Sequence, residues 1–121
     1  MLPLKNRLKK NRDFQKILKT GKKYFSGGIL LKVASNNLNQ TRVGFIISAK
    51  FAKKAAERNK IKRTLREQMR RELAGIQTGL DLLVIPLKKG AGKTEREKLA
   101  QDAVVAIGKG GLGKGNKKLF K

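Results

Sequence analysis

Lys53-Lys54-Ala55-Ala56-Glu57-Arg58-Asn59-Lys60-Ile61-Lys62-Arg63-Thr64-Leu65-Arg66-Glu67-Gln68-Met69-Arg70-Arg71 decides how this chain is read, because it joins a dense run of cations to helical apolar spacing. At about 100° per residue, Ile61, Leu65 and Met69 advance slowly along one flank of a helix. Asn59, Lys62, Arg63, Arg66 and Arg70 gather on the adjacent flank. Spacing of four sets the charges of Lys62, Arg66 and Arg70 against one another, which costs an isolated helix about 0.2–0.5 kcal/mol per pair. A helix that keeps such repulsion is suited to a polyanion. Solvated helices normally interleave charges of both signs, and this one hardly does.

The excess extends over the whole sequence: 31 Lys plus Arg stand against 8 Asp plus Glu in 121 residues, a formal net charge of +23. Nucleic acid is the leading partner class, since a polyphosphate converts such charge into affinity by releasing condensed counterions. An anionic membrane surface would attract the chain less selectively. The length suits a single domain that buries roughly two-thirds of its unfolded surface, and the periodic apolar residues argue against wholesale disorder. Folding against this charge is easier with RNA bound.

Cysteine and histidine are both absent. Disulfides and thiolate metal sites are therefore excluded, as are the usual general base and the commonest metal ligand. The sequence has no apolar run approaching the ~20 residues that span a bilayer, and no signal-peptide pattern, so the expectation is a cytoplasmic chain with no membrane association.

Residues 1–10 read either as an extended basic arm with Lys5, Arg7, Lys9 and Lys10 around Leu2, Leu4 and Leu8, or as a solvated terminus. Asn11 is placed to cap a helix carrying Phe14, Ile17 and Leu18, and Gly21 suits a left-handed residue just past its end. Tyr24 to Ser35 reads as one strand with a bend or bulge at Gly27-Gly28 near its start. After the turn residues Asn36-Asn37-Leu38-Asn39, Thr41 to Ser48 reads as a second strand with Val43, Phe45 and Ile47 on one face. The two are expected to form an antiparallel hairpin. The basic helix follows over roughly 55–73. Asp81 to Ile85 is a short apolar strand of the kind found in the middle of a sheet. Thr94 and Glu97 make a capping box for a last helix whose core stripe is Leu99, Ala100, Ala103, Val104 and Ile107. The expected architecture is α+β, a two-layer sandwich in the order α-β-β-α-β-α over residues 1–107, with a flexible Gly/Lys-rich tail over 108–121.

Pro86 to Thr94 imitates the phosphate-cradling loop of nucleotide hydrolases. The pattern needs glycine at position 87, however, where leucine stands, and too little chain follows for the rest of such a fold. Glu57, Glu67, Glu72, Glu95 and Glu97 read as helix support, with Glu67 placed to meet Arg63 and Arg71. No carboxylate set suggests a metal held by this chain.

Arg58-Asn59-Lys60-Ile61-Lys62-Arg63-Thr64-Leu65-Arg66 on a helix, preceded by Arg42-Val43-Gly44-Phe45-Ile46-Ile47-Ser48 on a strand, closely resembles the protein subunit of bacterial ribonuclease P. Asn6 to Phe14 is similar to that family's opening. The resemblance implies a fold like the second domain of ribosomal protein S5, with a left-handed β-α-β crossover. It also implies a ribonucleoprotein endonuclease that removes the 5′ leader from precursor tRNA. In this reading the RNA subunit requires Mg²⁺ and performs the hydrolysis, while the protein binds no cofactor and acts as a monomer in the complex.

By the same resemblance Arg58, Asn59, Lys60, Lys62, Arg63 and Arg66 contact the catalytic RNA, and Lys53, Lys54 and Arg70 of the same basic run complete the expected RNA-binding set. Arg12, Phe14, Leu18 and Lys32 hold the single-stranded leader, with Phe14 able to stack on a base or simply to pack the core. Leu18 and Lys32 stand where the family often has aromatics, which shifts leader binding from stacking towards charge. Lys60 replaces a customary arginine, losing the planar fork but keeping the cation. A ribosomal-type structural RNA binder is the rival reading.

Overall fold

The computed structural model describes residues 3–88 and 92–113. A 3-10 turn at Leu4–Asn6 leads into helix α1 (Asn11–Thr20), strands β1 (Lys22–Ser26), β2 (Ile29–Ser35) and β3 (Arg42–Phe45), helix α2 (Ala55–Leu73), strand β4 (Leu80–Pro86) and helix α3 (Lys93–Lys109). The α+β class and the bounds of the basic helix are as expected. The order carries one more strand, α-β-β-β-α-β-α.

That strand arises where one had been expected over 24–35. Gly27 adopts φ +51°, and a Cβ there would lie 2.5 Å from an oxygen of Asp102, so only glycine fits. Asp102, on α3, accepts the Gly28 N–H at 2.9 Å. The bend thus becomes a tight turn that folds β1 back on β2 in an antiparallel pair closed by Ser26 opposite Ile29.

The expected pairing of the next two strands does not occur. The sheet order is β1-β2-β4-β3, with β4 inserted antiparallel to β2 and parallel to β3. The cause is the apolar character of Leu82, Leu83 and Val84, all fully buried, which a central strand satisfies on both faces. The long α2 provides the crossover that a parallel β3–β4 pair requires.

Alternation along the strands divides the core in two. Leu31, Val33, Val43, Leu82 and Val84 face α2 and α3, meeting Ile61, Leu65, Met69, Leu99, Ala103 and Ile107. Ala34 and Leu83 face the opposite way, where Leu8, Phe14, Ile17 and Leu18 cover them. The sandwich therefore consists of the sheet and the α2–α3 layer, and α1 is an additional cover on the far face.

The helix ends differ in detail from the sequence reading. Asn11 is the first helical residue of α1, Lys10 is the N-cap, and Gly21 is extended (φ −69°, ψ 147°) rather than left-handed. Glycine is needed at 21 because a Cβ would lie 2.6 Å from the Ile17 carbonyl, which accepts the Gly21 N–H. At α3 the N-cap is Gly92, and Glu95 rather than Glu97 reaches back to accept its N–H at 3.2 Å. The folded body also runs past 107, since α3 continues to Lys109 and Leu112 is fully buried. Gln77 donates its N–H to the Leu112 carbonyl at 2.8 Å. Residues 114–121 of the expected tail, and Lys89-Gly90-Ala91 of the glycine loop, lie outside the described residues.

Leu65 sits at the centre of the larger core with no exposed surface. Leu65→Ala is expected to lower the unfolding free energy by about 2–5 kcal/mol through lost transfer energy and the cavity left behind, measured by urea denaturation.

Candidate nucleic-acid interface

The basic arm runs along the free edge of β3. Leu8 donates its N–H to the Val43 carbonyl at 2.9 Å, Arg7 bridges Val43 in parallel, and the Asn6 side chain donates to the Thr41 carbonyl at 2.7 Å. This places the arm between α1 and α2, which cover opposite faces of the sheet. A cleft of about 250 Å³ opens there, lined by Arg7, Lys9, Phe14, Phe45, Lys62 and Arg66, with Val43 and Gly44 as its floor. Four cations and two aromatic rings around an open trough can take the phosphates and base faces of a single strand.

Gly44 makes the trough possible. A Cβ at that position would lie 2.8 Å from the Phe14 ring, so the ring rests directly on β3 backbone. Phe14 is half-buried, both packed against the smaller core and presented to the cleft.

An ionic network fixes the wall that carries Phe14. Arg42, on β3, donates to Asp81 of β4 through Nε at 2.8 Å and Nη2 at 2.7 Å, and reaches Asp13 of α1 through Nη1 at 3.4 Å. Hydrogen bonding to Asp81 raises the pKa of Arg42 above its ordinary value. Asn36 donates to the same Asp81 carboxylate at 2.9 Å. The residue before Phe14 is thereby tied to the two strands beneath it.

The structure distributes the remaining candidates over several surfaces. Lys62 and Arg66 face the cleft, beside Phe14. Arg63 faces the other way, into the groove between α2 and α3. Lys53, Lys54, Asn59 and Lys60 are exposed at the start of α2. Arg58 is half-buried, and its Nη1 donates to the carbonyls of Ala52 at 2.9 Å and Lys53 at 2.8 Å, so it braces the loop entering α2.

Arg70 donates to Glu67, which meets it rather than the expected Arg63 or Arg71. Lys32 is buried and its ammonium donates to the Leu18 carbonyl at 2.5 Å, placing its charge at the C-terminal end of α1. Arg12 is exposed and lines a separate depression with Lys16, Leu18 and Lys19. Of the four candidate leader residues, only Phe14 reaches the cleft.

Arg7, Lys9 and Phe45 belong to the cleft but were not singled out as site residues. The arm was recognised as basic, yet its docking on β3 is a long-range pairing. Alternation sets Phe45 on one strand face with Val43 and Ile47, and it packs against the larger core there while also lining the cleft.

The comparisons agree in direction. The sequence model of the Ribonuclease P family matches residues 2–110. A ribonuclease P protein component from a Pseudanabaena species is 33% identical over 117 residues, covering 96% of this chain and all of that one. The component from Thermotoga maritima is 39% identical over 92 residues, covering 76% and 78%. Among solved structures, the Thermotoga maritima RNase P protein matches with TM-score 0.71 and 33% identity over 82% of this chain and 92% of that one. The Staphylococcus aureus RNase P protein matches with TM-score 0.74 and 28% identity over 85% and 93%.

Two outcomes are expected. Gly44→Ala displaces the Phe14 ring and narrows the trough, so binding of a single-stranded oligonucleotide weakens while circular dichroism is retained. Glu67 has its pKa lowered from 4.5 to about 2, chiefly by the hydrogen bond from Arg70 and against some desolvation. Because the folded value is depressed, the contribution of this pair is present above pH 4.5 and is lost as the pH falls towards 2. The pair is exposed, so salt screens that contribution. Carboxyl NMR should give a Glu67 midpoint near 2, and Arg70→Ala should return it towards 4.5.

Proposed function

The chain belongs to the ribonuclease P protein family, and from that membership we propose how its surfaces divide the work of the ribonucleoprotein. It is the protein component that acts with the ribonuclease P RNA in removing the 5′ leader from precursor tRNA. The RNA subunit holds the catalytic Mg²⁺ and cuts the phosphodiester bond, and the protein contributes affinity. Six of the eight carboxylates support this division, because they serve the fold. Asp13 and Asp81 hold Arg42. Asp102 holds the β1–β2 turn. Glu57 and Glu95 accept helix N-terminal N–H groups, and Glu72 accepts from Gln68.

The observation that carries the reading is the cleft that joins Phe14 and Phe45 to Arg7, Lys9, Lys62 and Arg66. The leader lies in it as a single strand, bases against the rings and phosphates against the cations. Lys53, Lys54, Arg58, Asn59, Lys60, Arg63 and Arg70 face the catalytic RNA from the exposed parts of α2, with Arg58 also bracing its entry loop. Arg12 extends the leader path along the outer side of α1. Leu18 and Lys32 act from beneath, by seating α1. The protein works as a monomer in the cytoplasm, apart from membranes. Among the described residues no helix is long and apolar enough to cross a bilayer.

By neutralising phosphates where enzyme RNA and substrate approach, the chain lowers the Mg²⁺ needed for cleavage. Added to the catalytic RNA and precursor tRNA at low Mg²⁺, it should raise the cleavage rate. Phe14→Ala should weaken binding of leader-bearing precursor by about 1–3 kcal/mol, the worth of one stacked base, and leave binding of mature tRNA unchanged. Unchanged cleavage on adding the wild-type chain would refute the reading.

A further inference from the structure

A groove of about 820 Å³ lies on the opposite side of α2 from the cleft. Arg63, Thr64, Glu67, Gln68 and Arg71 line it from α2. Thr94, Glu97, Lys98 and Gln101 line it from α3, with Ala100 as the one apolar residue.

Its charge is uneven. Arg63, Arg71 and Lys98 face two carboxylates, of which Glu67 is already engaged by Arg70. Glu97 alone opposes three cations. Arg63 and Arg71 stand eight positions apart, roughly 12 Å along the helix, so the positive charge follows the groove instead of collecting at one point. A mobile polyanion satisfies this better than a small anion.

Resting on the function proposed above, we infer that the α2–α3 groove holds a second backbone segment of the ribonuclease P RNA. Helix α2 is then a cationic ridge between two strands. Lys62 and Arg66 face the leader, and Arg63, Arg71 and Lys98 face the enzyme RNA. Such contacts read position and shape rather than base sequence, as suits structured RNA. The ridge fixes the spacing between substrate and enzyme strands through the width of a single helix.

The test measures binding of the ribonuclease P RNA to the full chain and to the Arg71→Ala, Lys98→Ala double variant over a salt series. Loss of two phosphate contacts should reduce the slope of log K against log salt by roughly 1.4–1.8, with the preference for leader-bearing over mature tRNA intact. A second measurement uses the unaltered chain: acetylation of Lys62 and Lys98 by an N-hydroxysuccinimide ester, with and without the ribonuclease P RNA and leader-bearing precursor tRNA together. Protection of both lysines supports the ridge. Protection of Lys62 alone, or an unchanged slope, overturns it and leaves the proposed function standing. Absence of binding by the wild-type chain overturns both.

Discussion

A helix that must bury Ile61, Leu65 and Met69 against a sheet has only its flanks and outer face for everything else, and α2 fills these with cations. Burial of the apolar stripe fixes the rotation of the helix about its axis. That rotation sends Lys62 and Arg66 towards β3, and Arg63 and Arg71 towards α3. The repulsion among these groups, a few tenths of a kcal/mol per pair, is small beside the roughly 1.5–3 kcal/mol gained by fully burying each large apolar side chain. Packing therefore wins, and a surface that is unfavourable in isolation is held rigid.

The acidic residues show how the charge imbalance is kept. Asp13, Asp81, Asp102, Glu57, Glu72 and Glu95 are each committed to a hydrogen bond within the fold. A carboxylate that accepts a backbone N–H or clamps Arg42 is poorly placed to neutralise a surface lysine elsewhere. Few negative charges thus suffice for the architecture without cancelling the positive surface. The Arg42 network has a further effect, because Asp13 and Phe14 are adjacent: a contact that steadies the fold also sets where the aromatic ring stands.

The elements legible in the sequence were those with a strong local signal. Helix α2 has a stripe at helical spacing, and β4 is an apolar run interrupted only by Asp81, so the sequence indicates both with nearly their observed bounds. What escaped was long-range. Whether Gly27-Gly28 is a bend or a reversal depends on Asp102 of a helix far along the chain. The absence of a β2–β3 pair depends on β4 competing successfully for both neighbours. The basic residues of α2 were identifiable as a group, but their division between two grooves requires knowing which elements pack on either side. Lys32 shows the same limit: a lysine in a strand reads as a surface cation, and only the position of the Leu18 carbonyl explains its burial.

The cleft exists because an edge strand is left open just far enough for the arm. An uncovered edge exposes backbone donors and acceptors that invite pairing with other chains. Here Leu8 and Asn6 satisfy carbonyls at Val43 and Thr41, and the arm's cations guard the remainder. The segment that protects the edge also brings Arg7 and Lys9 opposite Lys62 and Arg66. Gly44, lacking a side chain, leaves room for the Phe14 ring to rest on the β3 backbone and close one end. Edge protection and strand binding are therefore two results of one docking event, and a change that releases the arm removes both.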